Sequence, residues 1–554
     1  MTSRLPEWFP RSVQLLATGY TSEALVADLV AGVTVGLVAL PLAMAFAIAS
    51  GLTPQAGIYC AIITGFLISA LGGSRFQIGG PTGAFVVVVA GIIARYGVDG
   101  LFMCTMMAGV MLCVMGATGT GTAVRYIPRP VIIGFTNGIS LVIASTQLRD
   151  FLGLTENLPG EFIARMEAVI ANLGAVSRDS VLLGTATLVL LIVWSRYVKR
   201  VPAYIVAMFA GTLAASVLHL NVDTIGSRFG GIPSGLPAMH IPTFQPSLIL
   251  TLLSPAFTVA MLGAIESLLS AVVADRMGGD HHNPNTELFA QGVANIISPM
   301  FGGLPATGAL ARTATNIRSG ARTPVAGMTH AITLLVVLLF GAKLAGYVPL
   351  SVLAAILFIV AWNMGEWREI GEITKQSYTD IVVWLVTFVL TVVADLTVAV
   401  EVGMAMAALL FIRRVARTTT VSRVTREYIE SGRAHILQDK DIPDYVAIFR
   451  IHGPFLFGST DKLHDIALQA ESLPPVVILR LRNMTAVDGT GLSAIEELAD
   501  DLRAKGRTLV LCGAPAQPAG AMRKAEFHRH VGDENICSSV QAALDRAAAI
   551  VKRS

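Results

Sequence analysis

Charged residues are scarce in this 554-residue chain, in which Asp, Glu, Lys and Arg make up 14% and hydrophobic residues 54%. Soluble domains carry about 25% charged residues, so the composition excludes an ordinary soluble protein and indicates a membrane protein. Positive and negative charges nearly cancel, which leaves a formal net charge of +3. This balance gives no sign of a nucleic-acid partner, and we expect none.

Cysteine is equally rare, and no CxxC or metal-ligand spacing is present. The five residues are Cys60, Cys104, Cys113, Cys512 and Cys537. The first three lie in apolar segments, where cysteine is usually a small buried hydrophobe, so no disulfide framework is implied. The chain also lacks a Walker motif, a nucleophile triad and a metal-ligand cluster. We therefore expect no metal, no cofactor and no enzymatic activity.

Long hydrophobic runs, by contrast, follow one another from about residue 26 to about residue 412. A spanning helix needs roughly 20 apolar residues, and several runs are shorter, so those are half-helices or buried segments. Hydropathy supports about a dozen segments without fixing their number. Five arginines follow the last run, between Arg413 and Arg426. This basic stretch predicts that the C-terminus lies in the cytoplasm.

A Gly/Pro-rich motif occurs twice within these runs. Residues 79–84 read Gly-Gly-Pro-Thr-Gly-Ala, and residues 302–309 read Gly-Gly-Leu-Pro-Ala-Thr-Gly-Ala. Interrupted hydrophobic segments in corresponding halves of a chain are the best sequence pointer to a transporter's central binding site. Two short helices that begin at these breaks would aim their free N–H groups at one point in the bilayer. That arrangement suits an anion.

The character of the sequence changes near residue 440. Strand-like stretches alternate with one amphipathic helical face, at residues 445–457, 476–481, 492–502 and 508–512. This alternation predicts a small soluble α/β domain. We divide the chain into a cytoplasmic N-terminal lead over 1–24, a transmembrane domain over 25–414, a polar linker over 415–440 and an α/β domain over 441–554.

Further strings extend over nearly the whole chain. They are Asp28-Leu-Val-Ala-Gly-Val-Thr-Val-Gly, Leu40-Pro-Leu-Ala-Met-Ala-Phe-Ala-Ile-Ala-Ser-Gly, Gly57-Ile-Tyr, Ile127-Pro-Arg-Pro-Val-Ile-Ile-Gly-Phe-Thr-Asn-Gly, Ile265-Glu-Ser-Leu-Leu-Ser, Asn285-Thr-Glu-Leu-Phe-Ala-Gln-Gly-Val-Ala-Asn and Val487-Asp-Gly-Thr-Gly-Leu. Together with the repeated motif, they resemble the SulP (sulfate permease) anion transporters that carry a C-terminal STAS domain. Within that family, the strings resemble the bacterial C4-dicarboxylate branch more than the bicarbonate branch.

The resemblance implies an α-helical polytopic membrane protein with about fourteen segments in two inverted seven-segment repeats, plus a cytoplasmic α/β STAS domain. A core domain would hold the substrate and move, like an elevator, against a gate domain. The third and tenth segments would be half-helices that start near Thr82 and Gly308. The resemblance also implies a homodimer, and a STAS domain that aids assembly or the docking of cytoplasmic proteins.

Both motif copies are expected to line the anion site, because small residues let an anion approach backbone N–H groups closely. The alternative is that glycine and proline only permit tight helix packing. The resemblance implies that Phe46 and Phe85 match positions where family members line the pocket with aromatic side chains, although an isolated Phe is usually a core residue. The predicted substrate-binding residues are Phe46, Thr82, Gly83, Ala84, Phe85, Gly308, Ala309 and Arg312. Five polar residues lead into the ninth segment and are interpreted as loop and helix-contact groups rather than ligands. They are Asn283, Asn285, Glu287, Gln291 and Asn295.

Glu266 lies in an otherwise apolar span, where an ionised carboxylate is costly and therefore functional by default. We predict that it carries a co-transported proton; the alternative is a fixed ion pair with Arg312. Arg312 correspondingly either attracts the substrate or pairs with Glu266. In sodium-coupled relatives the cation ligands fall at positions that match Glu266, Ser270 and Leu310 here. Leu310 has no ligand oxygen, which favours protons over sodium.

Thr490 matches the phosphate-accepting residue of bacterial anti-sigma antagonist STAS domains. A phosphate there would be favoured by the N-terminus of the following helix, which makes Thr490 a possible regulatory site. The alternative is structural N-capping by this residue.

The sequence therefore predicts a proton-coupled secondary anion transporter of the bacterial cytoplasmic membrane. C4-dicarboxylates such as succinate or fumarate are the first substrates to consider, with sulfate and bicarbonate as alternatives. A nucleobase carrier of the same fold would lack a STAS domain and would have less use for Arg312. A different class is a membrane sensor or scaffold that signals through STAS, but intact Glu266 and both motif copies argue against it.

Overall fold

The computed structural model describes most of the chain in two units, Met1–Met404 and Ala405–Ser554. The described residues are 8–17, 19–121, 128–156, 158–198, 202–235, 239, 241–375, 377–394, 396–424 and 442–553. Part of the predicted N-terminal lead and residues 425–440 of the predicted linker lie outside these ranges.

The first unit is helical, because its sequence is dominated by apolar runs. Its described helices are α1 (Arg11–Ala17), α2 (Ser22–Ala49), α3 (Pro54–Leu71), α4 (Gly83–Ala117), α5 (Arg129–Leu152), α6 (Phe162–Ala171), α7 (Arg178–Tyr197), α8 (Ala203–Val217), α9 (Ile225–Phe229), α10 (Ile249–Gly278), α11 (Pro284–Ile297), α12 (Leu310–Arg318), α13 (Val325–Ala345), α14 (Leu350–Met364), α15 (Trp367–Ile373), α16 (Tyr378–Val393) and α17 (Leu396–Thr418).

Eight helices in the described part of the chain are long and apolar enough to cross a membrane, and α8 and α16 are shorter apolar helices. Helix α4 is broken at Gly97, whose φ of 71° is not helical, so it forms two consecutive segments. With both parts of α4 counted, and with α11, α12 and α17 added, the described helices supply the fourteen predicted segments.

The helix packing repeats itself between the two halves of this unit. In the first half, α2 and α3 both pack on α13, which belongs to the second half. In the second half, α10 and α11 both pack on α4, which belongs to the first half. Two short strands, β1 (Gly79–Gly80) and β2 (Thr307–Gly308), pair antiparallel. Equivalent parts of the two halves therefore run in opposite directions, as an inverted repeat requires.

The helices form two packed groups. In one group, which we call the core group, α2, α3, α4 and α10 to α13 contact one another. In the other, the gate group, α5 packs on α14 and α16, and α7 packs on α8 and α14. Fewer contacts join the two groups, so this is the division that could permit relative movement.

Gly57 on α3 shows how closely α2 and α3 pack. A Cβ atom at this position would lie 1.9 Å from the Ala43 carbonyl oxygen and 2.6 Å from its carbon, both in the α2 backbone. We expect Gly57→Ala to force the helices apart and to lower the melting temperature by about 5 °C or more. Gly91→Ala on α4 is the matched control, because nothing lies within 4 Å of that Cβ position. Equal melting temperatures for the two variants would contradict this packing.

The second unit contains a five-stranded sheet flanked by helices. The strands, in spatial order, are β3 (Thr420–Arg423), β4 (Val446–Phe455), β5 (Val476–Val487), β6 (Thr508–Cys512) and β7 (Ile536–Cys537). The β3–β4 pair is antiparallel and the other pairs are parallel. The described helices are α18 (Asp461–Leu468), α19 (Gly489–Ala504), α20 (Ala516–Lys524), α21 (His528–Val531) and α22 (Val540–Arg553).

Alternating residues of the central strands pack into two separate hydrophobic cores, one on each face of the sheet. Val477 and Leu479 face the cluster that includes α18 to α21, whereas Val476 and Ile478 face the cluster with α22. The period-2 pattern of β5 is thus buried on both faces, as expected for a parallel strand covered by helices.

Two predicted domain boundaries do not coincide with the ends of helices or strands. Helix α17 continues to Thr418 and β3 pairs with β4, so the stretch 415–423 is ordered structure rather than the start of a polar linker. Four residues of edge strand are too short to give a clear period-2 signal. At the N-terminal end, α2 begins at Ser22, where the Thr21 hydroxyl accepts a hydrogen bond from Ala24 N at 3.2 Å. Helix α2 therefore begins within the predicted lead, and the extent of the lead stays a prediction.

Candidate functional site

The two motif copies meet in the β1–β2 pair, where Gly79 faces Gly308 and Gly80 faces Thr307. Helix α4 begins at Gly83 and α12 begins at Leu310. The small sheet therefore brings two helix N-termini together, and the N–H groups of a first helical turn lack partners within the helix. The second half-helix starts two residues later than predicted, because Gly308 belongs to the strand and Ala309 is the N-cap.

Buried polar side chains of α11 hold both breaks in place. Asn295 accepts a hydrogen bond from Ala306 N and donates one to Ala306 O, each at 2.8 Å. Glu287 accepts from Gly73 N at 3.0 Å and from Ser74 N at 3.1 Å. For Asn295 and Glu287, the interpretation as helix-contact groups rather than ligands is confirmed.

A cavity of about 380 Å³ lies between the core and gate groups. Helices α2, α4, α10 and α12 contribute its core-side wall, and α5, α8, α14 and α17 its gate-side wall. The predicted residues that line it are Phe46, Thr82, Gly83, Glu266, Gly308, Ala309 and Arg312. The structure thus brings together in one cavity most of the residues that the sequence singled out.

Ala84 and Phe85 are exceptions, because neither is among the described residues that line this cavity. The Phe85 side chain is 2% exposed and points toward α10, where its Cζ atom lies 3.6 Å from the Cβ position of Gly263. The Phe85 N–H group is also bonded, at 3.3 Å, to Thr82 O. Their side chains do not line this cavity, because consecutive helical residues point about 100° apart, and a role of this helical turn in binding the anion stays a prediction.

Glu266 is bonded to the first motif copy. The Thr82 hydroxyl donates a hydrogen bond of 2.8 Å to Glu266 Oε2. Among the described residues, no salt bridge joins Glu266 to Arg312. The two residues therefore form no ion pair at contact distance in this structure, and the hydrogen-bond partner of Glu266 is Thr82.

Arg312 follows the second motif copy and is 2% exposed. Its Nη2 group donates to the Pro81 carbonyl of the first copy, so the residue ties the two breaks together. Its Nη1 atom is buried and has no hydrogen-bond partner in the described structure. A buried guanidinium with a donor left over is the arrangement expected of a site that receives an anion.

Sequence reasoning missed the gate-side wall of the cavity. Its members include Phe135, Tyr204, Asn363 and Glu366. An isolated aromatic or amide residue in a membrane helix gives no indication in the sequence that it lines a binding site. Glu366 could have been recognised as a candidate, because it is an acid shortly after the apolar run 347–361.

Two positions that match cation ligands of sodium-coupled relatives, Ser270 and Leu310, do not form an oxygen-rich site in this structure. Ser270 donates to the Thr313 hydroxyl at 3.2 Å, and Leu310 lines the cavity with an apolar side chain. A hard cation prefers several oxygen ligands, and these two positions supply little of that set beside Glu266.

Thr490 is exposed at the second residue of α19. The N-cap of this helix is Asp488, which accepts hydrogen bonds from Gly491 N at 2.8 Å and from Phe457 N at 3.2 Å. The capping role therefore belongs to Asp488 and not to Thr490. Phosphorylation of Thr490 stays a prediction.

Loss of the Asp488 cap is expected to loosen the start of α19. Asp488→Ala removes the acceptor for two backbone N–H groups, which costs about 1 kcal/mol and speeds local exchange about fivefold. Hydrogen–deuterium exchange of the full-length protein over residues 457 and 489–495 measures this. Thr490→Ala is the control, and equal exchange in both variants would contradict the assigned cap.

Comparisons with known proteins agree with this architecture. Residues 25–387 match the sulfate permease family, and residues 438–543 match the STAS domain. YvdB, a putative sulfate transporter of Bacillus subtilis, is 38% identical over 520 residues, which cover 93% of this chain and 97% of that protein. The bicarbonate transporter BicA of Synechocystis is 33% identical over 538 residues, or 94% of each chain.

Solved structures show the same fold. The transmembrane domain of a cyanobacterial bicarbonate transporter BicA superposes with a TM-score of 0.63 at 35% identity, covering 70% of this chain and 98% of that one. SLC26A9 superposes with a TM-score of 0.86 at 18% identity, covering 99% and 93%. The predicted helical membrane fold with a STAS domain is thereby confirmed. The chain belongs to the sulfate permease family of multi-pass anion transporters, with its STAS domain on the cytoplasmic side.

Proposed function

We propose that this protein takes up a small anion together with protons, and that the anion binds between the N-termini of α4 and α12. The observation that carries the proposal is the buried Arg312, which lines the cavity together with both half-helices and whose Nη1 atom has no hydrogen-bond partner among the described residues. Two helix N-termini add partial positive charge at the same place. No other described part of the cavity wall offers a comparable concentration of donors.

Glu266 supports coupling to protons. When ionised, it places a negative charge in the cavity that the substrate anion must enter, and no salt bridge among the described residues neutralises that charge. Repulsion between like charges in a poorly solvated site is strong, so the anion binds better once Glu266 is protonated. Proton and anion therefore load together, which is the requirement of a symporter.

C4-dicarboxylates are our first substrate hypothesis. Away from the helix N-termini the cavity wall is largely apolar, with Val38, Leu42 and Phe135 among its members. Such a wall suits the carbon chain of succinate or fumarate, whereas the oxygens of sulfate would be left without partners there. Sulfate and bicarbonate are the alternatives, because YvdB and BicA are named for those anions.

An elevator-like movement fits the distribution of these groups. Arg312, Glu266 and both half-helices belong to the core group, so anion and proton would travel together as that group slides along the gate group. The homodimer and the docking of cytoplasmic proteins on the STAS domain are proposals that rest on the family alone. Light scattering coupled to size-exclusion chromatography tests the dimer.

The deciding experiment is uptake of labelled succinate, sulfate and bicarbonate by purified protein in liposomes, with a proton or a sodium gradient imposed. Succinate uptake driven by protons alone supports the whole proposal. Uptake of sulfate or bicarbonate keeps the site but changes the substrate, and dependence on sodium contradicts the role given to Glu266. Absence of uptake of all three anions favours the sensor or scaffold hypothesis.

A further inference from the structure

His330 on α13 is a buried titratable residue for which the proposed transport mechanism has no use. Its side chain is 0% exposed, and apart from the nearby Gly327 carbonyl of its own helix, neither ring nitrogen has a polar partner within the described ranges. A buried polar group without a partner is costly, so such groups are normally satisfied by protein or by ordered water. The position of His330 therefore needs an explanation.

The ring lies against α3, close to β1. The Cβ position of Gly65 on α3 is 3.1 Å from His330 Nδ1 and 3.3 Å from Gly79 O, so ring and strand meet at this glycine. On the same strand, the Cβ position of Gly80 lies next to Arg312 Nη1. The two unpartnered groups thus approach the same short stretch of backbone.

Their hydrogen-bonding capacities are complementary. A guanidinium only donates, whereas a neutral imidazole has one donor and one acceptor nitrogen. The Gly327 carbonyl, one turn earlier on α13, lies close enough to the ring to attract its N–H group. The other ring nitrogen is then a hydrogen-bond acceptor, and Arg312 Nη1 is a donor without an acceptor. A protonated ring would instead repel the guanidinium.

We propose that one buried water molecule between α3, β1 and α13 accepts a hydrogen bond from one N–H of Arg312 Nη1 and donates one to the His330 ring; the other N–H of Nη1 stays available to the anion, and His330 is a positioning residue for the anion-binding guanidinium. Arg312 Nη1, the His330 ring and Gly79 O provide the polar partners that a buried water requires. Glycines at 65 and 80 keep side chains out of this space. The inference rests on the proposed role of Arg312 in binding the anion.

The test compares His330→Leu, which cannot accept a hydrogen bond, with His330→Gln, which can. In the liposome assay with succinate, sulfate and bicarbonate, we expect His330→Leu to raise KM about tenfold with little change in the maximal rate. His330→Gln should stay within about threefold of the wild type. Thr329→Val is the matched control, because this buried neighbour on α13 faces Gly32 of α2 instead of Arg312.

A second comparison separates this inference from the proposed function. If Arg312→Ala leaves KM unchanged, the anion site itself is wrong. If Arg312→Ala abolishes uptake but His330→Leu keeps the wild-type KM, only the positioning role is overturned. Should His330→Leu fail to fold, a folded His330→Gln protein with a tenfold higher KM would overturn it too. Nitrogen-15 NMR of labelled histidine gives an independent outcome, since a protonated His330 contradicts the proposed link.

Discussion

Replacing Arg312 with alanine is expected to lower anion uptake at least about hundredfold, which is the loss that removal of one partner from a buried charge interaction produces. The residue has two functions that alanine cannot perform. In the proposed site its Nη1 group binds the anion, and its Nη2 group donates to Pro81 O and so joins the two breaks. Arg312→Lys keeps the charge but loses the forked donor geometry, so it should recover only part of the activity.

Arg318→Ala is the matched control for this experiment. Arg318 lies on the same helix, α12, but in its last turn and on an exposed position. The same change of charge there should leave the KM for the anion near the wild-type value. Both variants need equal amounts of folded protein in the liposomes. Wild-type kinetics in Arg312→Ala would remove Arg312 from the substrate site.

The site was predictable from the sequence where its chemistry requires unusual residues in the membrane. Glycine and proline breaks, an acid and a buried arginine are rare in apolar spans, and Thr82, Gly308, Glu266 and Arg312 all line one cavity. Their mutual contacts were not predictable. The spacing of 266 and 312 along the chain says nothing about distance, and Glu266 is bonded to Thr82 instead.

The direction in which side chains point around a helix was also not predictable from the sequence. Phe85 follows the first break, yet it points into the core, because the rotation of α4 is fixed by its packing on α10 and not by the motif. On the gate side, Phe135 and Asn363 become part of the site only through the meeting of distant helices. Such residues look like ordinary membrane-helix positions in a single sequence.

The fold followed from the sequence more directly, but its segment count needed the structure. Helix α4 reads as two hydrophobic runs that hydropathy cannot separate cleanly, and the break lies at Gly97, where only glycine adopts a φ of 71° without strain. Helix α12 is too short and too polar to be recognised as a membrane segment by itself. Both ambiguities concern the two half-helices, which are shorter than ordinary membrane-spanning helices.

Glu266→Gln is expected to abolish uptake driven by a proton gradient while leaving anion binding intact. Glutamine has nearly the shape of protonated glutamic acid, and its Oε1 atom can still accept the hydrogen bond from the Thr82 hydroxyl. The variant therefore resembles the proton-loaded transporter, in which the anion is not repelled. Because glutamine cannot release a proton, an inward proton gradient no longer drives accumulation. Exchange of labelled for unlabelled anion across the liposome membrane should persist.

Glu401→Gln is the appropriate comparison. Glu401 is also an acid on a membrane-segment helix, and it also accepts a hydrogen bond from a hydroxyl, that of Ser254 at 2.7 Å. It is exposed, however, and it is not among the described residues that line the cavity. Uptake by this variant should keep its dependence on the proton gradient. If Glu266→Gln kept the same dependence, the proton would have to bind elsewhere, and repulsion between Glu266 and the anion could not be the source of coupling.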